Sequence, residues 1–357
     1  MRTLLRPTAF VDSPFGHDGK VARLVGGLNW FSAVELIRVD GHKRVSTDLV
    51  PVEGIDARFD DDTKEQWNGL TRARRPLQLG ERTIRLDQPQ VMGIVNATPD
   101  SFSDGGQFAD AAAAAAAGAE MAAQGAAIID VGGESTRPGA KLVWEGDEIE
   151  RVIPVVSQLA RSGAAVSIDT RKADVMTAAI DVGAQMINDV SALTYDGRSA
   201  GVIAASSVPI VLMHHKGAPE TMQDDPRYDD ALVEVYLWLE ERIAAAEEAG
   251  IDRNRILIDP GFGFGKNVGH NLELMNGLAL FHSLGCPIVV GASRKRTIGA
   301  LSNEAPVDRR LGGSIAFALK AAEQGAQLLR VHDVFETVQA LRVWRGMRDQ
   351  ALTPRVG

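Results

Sequence analysis

From Val91 onward, short aliphatic and β-branched runs alternate with Gly- or polar-rich turns and Ala-rich stretches. Eight runs have strand character: "VMGIVN" (91–96), "AAIIDVGG" (126–133), "AAVSIDT" (164–170), "MINDVS" (186–191), "PIVLMHH" (209–215), "RILIDPG" (255–261), "PIVVGAS" (287–293) and "LLRVHDV" (328–334). Helical stretches lie between them. Residues 109–124 contain seven consecutive alanines, and 226–249 repeat apolar residues at helical spacing. Strands that alternate with helices pair in parallel through crossovers. Eight such units predict an α/β chain folded as a (β/α)8 TIM barrel.

The polar residues of these runs cluster at one end. Asn96, Asp130, Asp169, Asn188, His214, Asp259, Ser293 and Arg330 all stand at or near the carboxyl end of their strand, while the amino ends are apolar or small. In a parallel barrel those ends form one rim, where such enzymes place their sites. Arg330 and His332 are two residues apart, so on an extended chain both leave by the same face.

The first 74 residues lack this rhythm. They hold Trp30, Trp67, a turn-like "RVDGHKR" and the acidic "DARFDDDTKEQ", without a recognisable motif. We expect an extension of unknown role over 1–74, packed on or beside the barrel as a passive cap on its floor, and a barrel over 75–350. "RPLQLGERTIRL" (75–86) reads as a hairpin that turns at Gly80 and closes the barrel's bottom.

Charge and composition narrow the partners. The formal net charge is −9, with no Lys/Arg-rich block, which disfavours nucleic acid and acidic membrane. No apolar run approaches the ~18 residues of a membrane span. Pro7 interrupts the opening leucines, so no secretory signal is expected. A single cysteine, Cys286, excludes an internal disulfide framework and fits a reducing, cytoplasmic setting. An acidic chain that binds an anion must gather its cations locally, and Arg330 and His332 are candidates.

Three features suggest chemistry they do not carry. "GFGFGK" (261–266) fits neither the phosphate-loop nor the dinucleotide pattern; its glycines allow a tight loop, with Phe262 or Phe264 free to cover a flat ligand. His214 and His215 point oppositely on a strand and cannot readily share a metal. Cys286 precedes the seventh strand, at the end away from the rim. Two loops are more promising: "NATPDSFSDGG" (96–106) and "GGESTRPGA" (132–140) are longer than a minimal βα turn and rich in reactive groups.

Residues 75 to about 345 closely resemble the dihydropteroate synthase family. "VMGIVNATPDSFSDGG" and "GAAIIDVGGESTRPGA" match its two signature segments almost letter for letter. "SIDTRK", "INDVS", "LMHHKG", "DPGFGFGK", "GASRK" and "LLRVHDV" follow in the family's order. The resemblance implies a transferase that condenses 6-hydroxymethyl-7,8-dihydropterin diphosphate with p-aminobenzoate and releases pyrophosphate. Mg2+ as cofactor, a homodimer formed through the last helices and membership of the sulfonamide target class are family expectations.

By that resemblance the pterin edge meets Asp259, Asn188 and Asp169, with Lys295 on the ring's acceptor side, Met213 and Phe264 as walls and the Arg330 guanidinium laid on the ring. A carboxylate suits the edge because it accepts two parallel N–H bonds. The diphosphate falls to Arg330, His332 and Arg137, and Asn96 matches a ligand of the magnesium carried with it. Phe102, Thr136, Arg137, Pro138 and the 294–296 turn would wall the aminobenzoate pocket, and Asp104 would steady the developing cation. An aryl amine is already neutral at pH 7, so no strong base or covalent nucleophile is required. A dissociative displacement follows, with Asp104, Arg137, Lys295, Arg330 and His332 as its groups.

One position departs from the family. The residue after the "SRK" lysine is often Ser there and is Arg296 here; a guanidinium beside helix N–H groups predicts tighter, more salt-sensitive capture of the aminobenzoate carboxylate. Two other readings compete. A pterin-dependent methyltransferase barrel would lack the diphosphate set and need a corrinoid partner. A pterin-binding paralogue without activity would keep the groups but misplace the loops.

Overall fold

The computed structural model describes residues 1–97, 107–134, 142–217 and 221–353, without the side chains of 107–110. The chain opens with β1 (Arg2–Val11), β2 (Ala22–Arg23), β3 (Trp30–Asp40) and β4 (Lys43–Pro51), then α1 (Asp61–Thr71) and a hairpin of β5 (Leu77–Leu79) and β6 (Arg82–Ile84). There follow β7 (Gln90–Asn96), α2 (Gln107–Ala123), β8 (Ile128–Gly132), α3 (Glu145–Arg161), β9 (Val166–Asp169), α4 (Ala173–Asp181), β10 (Met186–Asp189) and α5 (Ser199–Ala205). The remainder is β11 (Ile210–Met213), α6 (Ala231–Glu248), β12 (Ile256–Asp259), α7 (Val268–Asn276), β13 (Val289–Val290), α8 (Arg296–Leu301), α9 (Leu311–Glu323), β14 (Leu328–Val331) and α10 (Val334–Ala351).

Strands β7 to β14 form one parallel sheet in the order β12-β11-β10-β9-β8-β7-β14-β13. A parallel bridge between Ile258 and Ile288 joins its two ends. This is the (β/α)8 TIM barrel. β13 is the shortest strand of the barrel, with Pro287, which offers no N–H, before it and Gly291 at its end.

Side chains alternate along each strand, and the barrel's interior is built in layers. The bottom layer is apolar: Met92, Ile128, Ala165, Met186, Val211, Leu257, Val289 and Leu328 pack together with Leu77, Leu79, Ile84 and Leu86 of the hairpin segment. Burial of those four hairpin-segment side chains contributes ~1.5–3 kcal/mol each. Gly80 makes the turn at φ 59°, a left-handed conformation open to glycine.

The hairpin therefore fills the floor, and the N-terminal unit packs outside it. Strands β1 to β4 form an antiparallel sheet with β3 in its middle. One face packs Leu5, Phe31, Val34 and Leu36 against Leu70 and Trp67 of α1. From the opposite face Leu4, Ile37 and Val39 join the core of the barrel's outer helices. The sheet runs along the flank, tied to α6 by Arg2–Glu240 and Arg44–Asp230 and to the end of α7 by Arg6 and the Asn276 carbonyl. The N-terminal unit also reaches the barrel's lower loops, where Arg74 Nη2 and Asn29 Nδ2 donate at 2.8 Å each to the carbonyls of His282 and Ala322, so it braces the side as well as meeting the floor's edge. The acidic run before α1 also has a job: Asp60 accepts from Thr63 N at 2.9 Å, and the Thr63 hydroxyl accepts from Asp60 N at 2.9 Å, closing a capping box.

Candidate active site

Two residues beyond the apolar floor, the next inward-facing positions are Ile94, Asp130, Ser167, Asn188, Met213, Asp259, Gly291 and Arg330. The change from apolar to polar is abrupt and occurs around most of the ring. Arg330 crosses the mouth. Its Nε donates to Asp130 Oδ2 at 2.6 Å and its Nη2 to Asp169 Oδ2 at 2.6 Å. Asn188 Nδ2 donates to the same Asp130 oxygen at 3.0 Å. Asp130 Oδ1 and Ser167 Oγ are buried and make no hydrogen bond among the described residues, which leaves acceptor capacity in the mouth.

Asp259 and Arg330 belong to the same wall. A Cβ on Gly291 would lie 3.7 Å from Asp259 Oδ2 and 3.8 Å from Arg330 Cδ. Gly261 N donates to Asp259 Oδ1 at 2.7 Å. Burial pushes the Asp259 carboxyl up, against the pull of Lys295. Burial likewise raises Asp169, to about 7, despite Arg330 beside it. For Arg330 burial works against the charge, but Asp130 and Asp169 outweigh it and hold the guanidinium above its ordinary value.

Lys295 enters from the turn after β13. Arg294 holds a left-handed backbone (φ 58°), fixed by its guanidinium on Asp333 (Nε to Oδ2, 3.0 Å) and its N–H on Ser314 Oγ (3.0 Å). That turn sends the next side chain back to the mouth. Lys295 Nζ donates to the Phe262 carbonyl and stands 4.4 Å from the Phe264 ring centroid. Burial lowers it to about 8, partly offset by Asp259.

The 261–266 loop forms the facing wall. Lys266 Nζ, fully enclosed, meets His214 Nδ1 at 2.7 Å and the carbonyls of Gly261 and Phe264 at 3.0 Å each. These three contacts tie the loop to the end of β11 from within, and burial pushes the lysine well below its ordinary basicity. His214 also stacks edge-on against Trp238, and burial lowers its basicity. Among the described residues no three His, Cys, Asp or Glu side chains gather as a metal cluster. Cys286 lies buried outside the mouth, its thiol pushed up to about 11 by burial.

The mouth thus unites Asp169, Asn188, Met213, Asp259, Phe264, Lys295 and Arg330. β14 ends at Val331, so His332 stands one residue past the strand, with Arg330 beside Gly291 and His332 beside Ser293, two residues further along. Arg330 turns to the two aspartates, while His332 Nδ1 lies 3.1 Å from Ser293 Oγ. Asn96 is exposed at the end of β7, and Arg296 is exposed in the first turn of α8. Phe102, Asp104, Thr136, Arg137 and Pro138 lie outside the described residues.

Asp130 stood out in the sequence only as one of eight rim residues, yet it is the acceptor that joins Arg330 to Asn188. Counting two residues up from each floor position would have found it. A second buried network draws on two quoted segments, "GGESTRPGA" and "SIDTRK", whose link the sequence did not reveal. Lys172 Nζ donates to Glu148 Oε2 at 2.5 Å and to the Val143 carbonyl at 2.7 Å. Glu134 pairs with Arg171 at 3.2 Å and Lys172 at 3.3 Å and accepts from Val143 N at 3.0 Å. Glu134 and Val143, on either side of 135–141, are thereby anchored to the turn after β9.

Residues 92–332 match the model of the pterin binding enzyme family. A dihydropteroate synthase of Escherichia coli K12 is 49% identical over 262 residues, 73% of this chain and 92% of that protein. The Bacillus subtilis dihydropteroate synthase is 42% identical over 72% of this chain and 88% of its own. Among solved structures, a Xanthomonas albilineans dihydropteroate synthase with 4-aminobenzoic acid superposes with a TM-score of 0.73 at 49% identity, covering 79% of this chain and all of that one. Another from the same organism, in complex with 7,8-dihydropteroate, gives 0.70 at 46% identity over 78% and 100%. With a family match across the barrel and such identity over most of its length, this chain belongs to the pterin-binding enzymes, among the dihydropteroate synthases.

Proposed function

We propose that this chain is the transferase that joins p-aminobenzoate to a hydroxymethyl-dihydropterin diphosphate, giving dihydropteroate and pyrophosphate. One observation carries the reading: a buried acid–amide–arginine layer directly above an apolar floor, in a barrel of this family. A flat heterocycle can rest on Met213 and Phe264 while its N–H edge meets Asp259, Asn188 and Asp169. Lys295, charged at neutral pH, supplies a donor to a ring acceptor. A guanidine-like edge also offers partners to the Asp130 and Asp169 carboxylates, since Asp130 Oδ1 has no hydrogen-bond partner among the described residues.

The leaving diphosphate requires positive groups at the rim, where His332 stands beside Ser293. Arg330 is the cation that reaches from the strand end into the mouth. Asn96 presents a hard amide oxygen at the exposed end of β7 and fits a magnesium ion brought by the diphosphate, whose own oxygens and waters complete the shell. Such an ion neutralises charge on the departing phosphates. Departure ahead of attack suits an aryl amine, which is neutral at pH 7 and needs no base to activate it. Arg296 offers a guanidinium at the start of α8 for the aminobenzoate carboxylate, in place of the family's usual serine.

Phe335, Val343 and Met347 leave an exposed apolar stripe on α10, which supports association of two copies through the last helices. No described helix is long and apolar enough to cross a membrane, and the single buried thiol suits the reducing cytoplasm we propose for it. The test is direct. The purified protein is mixed with pterin diphosphate, p-aminobenzoate and Mg2+, and pyrophosphate and dihydropteroate are followed together. One-to-one appearance is the expected result. Pyrophosphate alone, or neither product, would overturn the assignment.

A further inference from the structure

The N-terminal sheet touches the barrel at a point that bears on the ligand pocket. The first residues of β4 meet the last residues before α6. Arg44 Nε pairs with Asp230 Oδ2 at 2.7 Å, with the Asp230 side chain only 11% exposed. Lys43 Nζ lies 3.7 Å from Asp229, in an exposed pair. Asp230 also caps α6, accepting from Val233 N at 2.9 Å.

The chain leading into Asp230 grips the loop that walls the mouth. Tyr228 Oη donates to the Gly265 carbonyl at 2.9 Å, and Gln223 Nε2 donates to the Gly263 carbonyl. Those carbonyls flank Phe264. At Gly263 the backbone is close to Lys295, whose Cδ would be 3.2 Å from a Cβ placed there. The 221–230 segment therefore holds both the aromatic wall and the rest on which the pocket lysine lies. Its far end is secured by Arg44.

The charges explain why that end needs securing. Across the α6–α7 seam Glu273 approaches the first turn of α6, with Leu232 N 3.5 Å from Glu273 Oε1. Burial and the neighbouring Asp230 both push the Glu273 carboxyl up, while Arg44 opposes them. Without the guanidinium, two carboxyls would repel where α6 begins.

We propose that Arg44 is a positioning residue for the pterin pocket, through which the N-terminal sheet holds the 221–230 segment and hence the Phe264 loop in register. The inference rests on the pterin-pocket reading above. It makes the extension part of the barrel's binding apparatus although it contributes no group to the mouth.

The experiment compares the full chain with Arg44→Met, Asp230→Asn and the double variant. Asparagine caps a helix as well as aspartate does, so Asp230→Asn removes the ion pair and spares the cap. For each protein KM is measured separately for pterin diphosphate and p-aminobenzoate at a temperature well below unfolding. We expect each single variant, and the double variant no further, to raise the pterin KM by about five-fold, a size consistent with a half-buried ion pair. The KM for aminobenzoate stays within about two-fold, and Arg44→Lys recovers part of the loss. An unchanged pterin KM would refute the proposal. So would an equal rise in both KM values that tracks a fall in Tm, since a merely structural contact behaves that way. Failure of the unmodified chain to turn over would instead remove the pterin reading itself.

Discussion

Lys295 offers the sharpest test of the mouth's electrostatics. Its ammonium is buried against Phe262 and Phe264, with Arg330 opposing its charge and Asp259 favouring it, and its pKa falls to about 8. If the charged form grips the pterin, kcat/KM for pterin diphosphate should fall by about ten-fold per pH unit well above 8. Lys295→Arg should abolish that limb, since a guanidinium stays protonated, even though its planar fork fits the Phe262 carbonyl poorly and lowers the absolute rate. Stability should move the other way. An unfolded lysine titrates near ~10.4, so between about 8 and ~10.4 the unfolded chain holds the proton more tightly than the folded one. The cost of burying the charge is present below that window and is relieved as pH rises through it. Steady-state rates from about pH 6 to 10, paired with denaturant midpoints over the same range, resolve the two trends. A flat rate profile, or an unchanged limb in Lys295→Arg, would show that this ammonium does not serve binding.

Three further outcomes can be checked. Asp130→Asn removes the charge that Arg330 Nε meets at 2.6 Å while Asp169 remains; we expect a loss of about 3 kcal/mol, at the lower end for a broken buried pair, and unchanged denaturant midpoints would contradict this. Gly261→Ala puts a methyl group into the His214 carbonyl at φ +71°; it should cost at least about 2 kcal/mol and abolish pterin binding by calorimetry. Arg296→Ser should flatten the salt dependence of the aminobenzoate KM, and a salt-independent KM in the unmodified chain would sink that idea.

The barrel was legible because its signal is local. Each strand announces itself by an apolar run and a polar end, and each observed strand lies within the predicted run or one residue from it. The site was legible in its residue types and less so in its connections. Arg330 meets Asp130 across 200 residues of chain, and no local pattern reveals such a partner. Period-two counting from the floor does reveal the layer, because Asp130, Asn188, Asp259 and Arg330 each stand two residues beyond an apolar floor position. The extension was opaque for a different reason. β3 is buried on both faces for most of its length, so "WFSAVELIRVD" lacks the alternation that marks a one-faced strand. The acidic run was read as featureless although "DDDT" contains the pair that caps α1.

Among the described residues, the charge balance of the mouth separates two tasks that the sequence had merged. Asp130, Asp169 and Asp259 stand against Arg330 and Lys295, so the layer is negative when all are ionised. Such a layer repels a diphosphate and attracts an N–H-rich ring edge. It also favours positive charge on a carbon bound just above it, as a dissociative displacement requires. Arg330 is held in its buried position by two carboxylates, and on the proposed function that pairing organises the heterocycle's cradle. On the function proposed above, the diphosphate would meet Arg330 from the rim side, together with His332 and Asn96 farther up, where the chain need not desolvate so many charges at once.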